Sequence, residues 1–262
     1  MQTIRSKDGT PIAFEVSGSG PPLVLVHGTG GDHTGWRPIL PALTDHFTVY
    51  TVDRRGRGGS GDAPEYNVER EFEDVAALVD SIGAPADLLG TSYGALCSLE
   101  AALRTSHVRR LVLFEPPMQT GVKSIYPPRE VAEIQALLAA GKREAALELF
   151  SRKIIEALPE EFERGRADPS WPVRVANAHL ILREMKSVNE YLFNAERVAK
   201  LTTPTLLMMG GDTALFLATG IRLLKQALPN NQVVELPGLR HSAMGIAPEL
   251  FVREVKAFLL KP

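Results

Sequence analysis

Gly90-Thr91-Ser92-Tyr93-Gly94 decides how this chain is read. The pentapeptide fits G-x-S-x-G, follows a short apolar run at 86–89 and precedes an apolar-rich stretch at 95–103. Strand, tight turn and helix are the context in which such a serine is pushed out above a sheet. Gly90 and Gly94 remove side chains where neighbouring segments must approach closely. The helix behind the serine would turn its free N–H groups and positive dipole end toward the place where negative charge develops on an attacked carbonyl.

Outward from this motif the pattern is strand and helix in alternation. Upstream, residues 3–6 and 12–17 predict a hairpin turning at Asp8-Gly9. Residues 23–26 and 47–52 are apolar runs suited to central strands, and a helix is expected near 35–43. Phe72, Val75, Ala76, Val79 and Ile82 repeat at helical spacing and stop at Gly83. Residues 110–114 predict another strand. The rhythm then breaks: to about residue 200 only helices are expected, at 128–140, 142–157 and 173–184. Strand 205–209, helix 216–228, strand 232–236 and helix 249–260 resume it. The fold class is therefore α/β, a doubly wound, mostly parallel sheet in three layers. Its core comprises 1–115 and 200–262, with a helical insertion at 116–199.

Composition narrows the partners. With 29 basic against 31 acidic residues and a formal net charge of −2, nothing points to nucleic acid or an anionic membrane. Cys97 is the single cysteine, so no internal disulfide can form; it is expected to be a small core residue, not a second nucleophile. The N-terminus has no signal-like apolar region, and no apolar run approaches the ~18 residues that span a bilayer. The expectation is a cytoplasmic protein, monomer or homodimer, acting on a small molecule.

A serine hydroxyl needs a base to become a nucleophile. Of six histidines, His241 is the candidate, since it lies in the loop after the last strand, on the same strand-end edge as Ser92. The N–H of Tyr93 is one expected oxyanion donor. The loop His27-Gly28-Thr29-Gly30-Gly31 should supply the other, from Thr29. His27 is read as a loop-shaping hydrogen-bond donor. No zinc site is suggested, because no spaced set of His and carboxylates accompanies it. The loop Asp53-Arg54-Arg55-Gly56-Arg57-Gly58-Gly59-Ser60 lacks a P-loop ending, and its arginines are expected to anchor the loop through ion pairs and hydrogen bonds.

These marks, together with the 204–210 strand and the His241 loop, resemble the α/β-hydrolase family. The resemblance implies an eight-stranded sheet, a helical cap, a Ser-acid-His triad in chain order, no cofactor, and a substrate pocket between sheet and cap. Serine at the elbow disfavours the epoxide hydrolase and haloalkane dehalogenase branches. The acid departs from the pattern: where the family places a catalytic aspartate, this chain has Thr213. Asp212, one residue early, and Glu115, at the end of strand 110–114, are the two candidates, and Asp212 is preferred because acids after that later strand are the family's usual solution. Trp36 and Phe216 are expected to touch the ligand. The function expected is hydrolysis of an ester or lactone of a small, largely apolar molecule. C–C bond hydrolysis, acyl transfer or lyase chemistry on the same triad is the alternative, and a receptor-like ligand-binding protein is the non-enzymatic one.

Overall fold

A computed structural model describes residues 1–119 and 124–261. Eight strands form one sheet: β1 (Gln2–Arg5), β2 (Pro11–Ser17), β3 (Pro22–Val26), β4 (Thr48–Val52), β5 (Ala86–Thr91), β6 (Val108–Phe114), β7 (Thr205–Gly210) and β8 (Asn231–Leu236). Their order across the sheet is β1-β2-β4-β3-β5-β6-β7-β8. The β1–β2 and β2–β4 pairs are antiparallel and the rest are parallel, as a hairpin followed by strand-helix units requires.

The first helices are α1 (Leu40–Thr44), preceded by a 3₁₀ turn at His33–Trp36, α2 (Val68–Ser81) and α3 (Tyr93–Ala102). Between β6 and β7 lie α4 (Pro128–Ala139), α5 (Arg143–Leu149), α6 (Pro159–Arg166), α7 (Trp171–Ala176), α8 (Ile181–Glu190) and α9 (Ala195–Val198), with no strand among the described residues. The chain closes with α10 (Leu215–Ala227), α11 (Ala243–Ile246) and α12 (Pro248–Leu259). The helix expected over 173–184 is instead two, α7 and α8, separated by a 3₁₀ turn at Asn177–Leu180.

Side chains of a strand alternate between sheet faces, so β3 feeds two cores. Val24 and Val26 pack with Phe72, Val75 and Val79 of α2 and with α3. Leu23 and Leu25 pack with Trp36, Leu43 of α1 and Phe251, Val255 and Phe258 of α12. Helices on both faces make three layers. The connection leaving β3 runs to β4 on one side and that leaving its neighbour β5 runs to β6 on the other, so the switch point falls between β3 and β5, where ligands of open α/β sheets bind. Among the described residues no helix is long and apolar enough to cross a membrane.

Candidate active site

Val26 pairs in register with Gly90, which brings the loop after β3 beside the turn after β5. Ser92 occupies that turn at φ 55°, ψ −126°, a left-handed conformation that a non-glycine residue adopts only when its surroundings enforce it. Glycines make the enforcement possible. A Cβ at Gly94 would lie 2.2 Å from the Val26 carbonyl oxygen, and one at Gly90 2.4 Å from Ser98 Oγ and 2.5 Å from the Gly94 carbonyl oxygen. Gly28 is less tight but still too close for a side chain, its missing Cβ falling 2.9 Å from Ser92 Cβ. Gly94→Ala, which drives a methyl into backbone, is expected to destabilise the fold by about 1–3 kcal/mol in equilibrium denaturation.

Thr91 is in register with Phe114, and Ser92 N–H donates to the Phe114 carbonyl at 2.8 Å, so the residue after β6 stands next to the serine turn. That residue is Glu115. Fully buried at 0% exposure, it takes φ 48° ahead of Pro116-Pro117, although a residue before proline favours extended backbone. Its carboxylate is held at both oxygens: Oε1 accepts the Gly210 N–H at 2.7 Å, and Oε2 accepts from His241 Nδ1. The His241 ring stacks on Phe114 with centroids 5.8 Å apart.

The preference for Asp212 is therefore corrected, because the carboxylate at His241 is that of Glu115. Asp212 is exposed, and its backbone N–H is bonded to the Leu239 carbonyl at 3.0 Å, while Gly211 N–H bonds the Leu236 carbonyl at 2.9 Å. These bonds tie the turn after β7 to the loop after β8, and Glu115 occupies the place next to the imidazole.

The loop after β3 is shaped from beneath. His27 Nδ1–H donates to the Gly28 carbonyl at 2.9 Å, and Nε2 accepts the Arg54 N–H at 3.3 Å. Burial, with Arg54 and Arg57 nearby, pushes the His27 pKa well below its ordinary value, so the ring is neutral. The Gly28 carbonyl also accepts from Arg54 Nη2 at 3.3 Å. A trans peptide sets its C=O and N–H on opposite sides, so donors that hold the Gly28 oxygen turn the Thr29 N–H away from themselves.

The loop arginines do anchor. Arg54 bonds Glu71 at 2.8 Å and Glu184 at 2.5 Å, Arg57 bonds Glu184 at 2.5 Å, and Arg55 makes a two-pronged pair with Asp74 at 2.7 Å per bond. Tyr66 hydroxyl links Glu71 at 2.6 Å and the Tyr93 hydroxyl at 2.7 Å. Glu184 lies in α8, so this network joins the helical segment to the sheet. Sequence reasoning missed it because its partners are 127 and 130 residues apart. Burial opposes the Glu184 charge, but Arg54 and Arg57 outweigh it and hold its pKa down. Glu184→Gln leaves two guanidiniums short of charge and is expected to lose about 3 kcal/mol of stability at pH 7 in denaturant titration. A depressed pKa stabilises above the unfolded value, near ~4.3 for Glu, so the gap from wild type should narrow as pH falls below it.

Elsewhere, Asp32, His33 and Asp53 bring potential ligand atoms within 4.8 Å of one another. Protein groups already engage them: Asp53 accepts from His33 Nδ1 at 2.7 Å and Gly59 N–H at 2.8 Å, and Asp32 from Thr34 N–H at 2.8 Å. Cys97 is fully buried, and burial pushes its thiol pKa up.

Ser92, His241, Thr29 and Trp36 line one cavity of about 280 Å³ between the sheet edge and the helical segment. Phe114, Phe150, Ile155, Phe162, Trp171 and Met244 make much of its wall apolar. Phe216 is not there. As part of α10 it packs edge-on against Tyr126, ring centroids 5.9 Å apart, which corrects its expected contact with a ligand.

The comparisons with known proteins agree with this architecture. The model of the alpha/beta hydrolase family matches residues 23–254. A crystal structure of an alpha/beta hydrolase from Sphaerobacter thermophilus is 38% identical, with a TM-score of 0.83 over 98% of this chain and 99% of that one. The 2-(acetamidomethylene)succinate hydrolase of Mesorhizobium japonicum is 27% identical over 92% of this chain and 89% of its own length. A putative carbamate hydrolase of Azorhizobium caulinodans is 24% identical over 91% of each. With the family model spanning sheet and helical segment alike, this chain belongs to the alpha/beta hydrolase family.

Proposed function

We propose that the protein is a serine hydrolase that cleaves an ester or lactone of a small molecule with a largely apolar body, in a cavity closed by the helical segment acting as a cap. The observation that carries this reading is the His241–Glu115 pair on the strand-end edge where Ser92 stands, with Ser92 and His241 lining one cavity. A carboxylate that accepts Nδ1–H leaves Nε2 as the basic nitrogen. His241 Nε2 takes the Ser92 proton as Oγ attacks the substrate carbonyl, and the N–H groups of Tyr93 and Thr29 stabilise the oxyanion. The bond to the leaving oxygen then breaks as His241 returns the proton to it. Water, deprotonated by the same nitrogen, attacks the acyl-enzyme; the acid departs and Ser92 regains its hydrogen.

The relatives, named as hydrolases, support hydrolysis. The receptor-like alternative drew its weight from the displaced acid, and Glu115 beside His241 supplies a carboxylate where one was wanted. A fluorophosphonate probe tests the proposal. One adduct per chain is expected, mapped to Ser92 by peptide mass spectrometry and absent from Ser92→Ala. Native protein that takes up no label at Ser92 would sink the hydrolase reading.

A further inference from the structure

Several charged residues line the Ser92 cavity, and their partners differ. The carboxylates are engaged locally: Asp32 accepts from the Thr34 hydroxyl at 2.6 Å, Glu161 from the Leu158 N–H at 2.9 Å, and Asp168 from the Ser170 N–H at 2.8 Å and hydroxyl at 2.6 Å. Arg164 is exposed and donates to the Ile246 carbonyl at 3.4 Å. Arg174 is different. Its guanidinium has no hydrogen bond among the described residues and no carboxylate oxygen within 4.0 Å.

That guanidinium is nevertheless held in place. Its central carbon lies 5.6 Å from the Trp171 ring centroid, a cation–π distance. Nη1 also stands against Gly165 of α6, 3.5 Å from where a Cβ would lie, which is ordinary van der Waals distance. Burial pushes the Arg174 pKa down, and Asp168 offsets this only in part. Arg174 is half-buried, and a guanidinium that gives up part of its hydration without an ion pair is unfavourable unless something else completes it. Arg174 lines the cavity that holds Ser92.

We propose that Arg174 is a specificity-determining residue that pairs with a carboxylate on the substrate, so that the cavity takes small esters or lactones with an apolar body and one carboxylate distal to the scissile carbonyl. A guanidinium fork matches a carboxylate with two parallel bonds. A monoanion also balances the single positive charge, whereas a phosphate dianion would leave excess negative charge facing Asp168. The substrate class rests on Ser92 acting as the nucleophile; the anion site does not.

The test compares p-nitrophenyl valerate with mono-p-nitrophenyl glutarate, which carries a carboxylate in place of the terminal methyl. Wild type is expected to prefer the glutarate, and Arg174→Gln to lower the glutarate-to-valerate ratio of kcat/KM by about 10- to 100-fold, chiefly through KM on glutarate. Arg174→Lys should recover part of the ratio. Binding is read separately by melting shifts with free glutarate against neutral glutaramide. Glutarate should stabilise wild type and Ser92→Ala selectively, and not Arg174→Gln. A folded Arg174→Gln whose ratio stays within about twofold of wild type, or equal shifts of wild type by glutarate and glutaramide, overturns the proposal. The wild-type shifts decide even where Arg174→Gln fails to fold. Selective glutarate binding without hydrolysis of either ester would sink the hydrolase reading and support the anion site.

Discussion

Ser92→Ala is expected to lower kcat on p-nitrophenyl valerate by about 10⁵- to 10⁶-fold, with an unchanged melting temperature. In the proposed mechanism the lost oxygen is the one that bonds the substrate, which makes the fall this large, and Cys97 cannot replace it: it is buried in α3, its thiol pKa pushed up by burial. The fold should not suffer. The turn depends on the glycines around it, and alanine keeps the Cβ of Ser92, for which Gly28 leaves room by having no side chain. Whatever rate remains should come from the oxyanion donors and substrate binding. Turnover by Ser92→Ala above about 1% of wild type, with the protein freed of contaminating esterase, would show that another group carries the chemistry.

Glu115→Gln is expected to lower kcat by about 10³- to 10⁴-fold, while Asp212→Asn stays within about twofold, both on the same ester at pH 7.5. Glutamine preserves the volume and can still accept the Gly210 N–H through its oxygen. Its NH₂ group then meets His241 Nδ1 as a donor, which drives the imidazole to the tautomer with its proton on Nε2 and removes the base. Glu115→Asp should also be impaired, since a side chain one methylene shorter cannot span both Gly210 N–H and His241. Asp212 lies in solvent after β7, so its charge is screened and its loss should go unnoticed. The reverse ranking of these two variants would return the role to Asp212.

The two carboxylates show where reading the chain stops. Both follow a parallel strand, and both strands end at the edge that carries Ser92, so topology alone admits either. What separates them is register and reach: Phe114 pairs with Met208, and Glu115, raised by a positive φ, arches over the end of β7 to the imidazole. Neither quantity has a signature in local residue types. Phe216 failed for a related reason, since position after a loop does not state which face of α10 a side chain takes. Trp36, which follows the Gly-rich loop directly, lines the cavity. Arg174 was not singled out: residues 173–184 read as a continuous helix, whereas Arg174 belongs to α7, which a 3₁₀ turn at Asn177–Leu180 separates from α8.

The sequence by itself determined the alternation of strands and helices, the strand-turn-helix around Ser92, the helical segment between β6 and β7, and the edge on which His27, Ser92 and His241 meet. All of these follow from periodicity and glycine placement within a dozen residues, where chain connectivity limits the alternatives. Only the tertiary structure decided that Glu115 meets His241, that Glu184 bridges Arg54 and Arg57, and that Arg174 lines the cavity with no side-chain hydrogen bond or ion pair among the described residues. Those are contacts between distant segments, set by how helices pack on the sheet, and hydrogen-bond distances of 2.5–3 Å depend on that packing in a way no local pattern encodes.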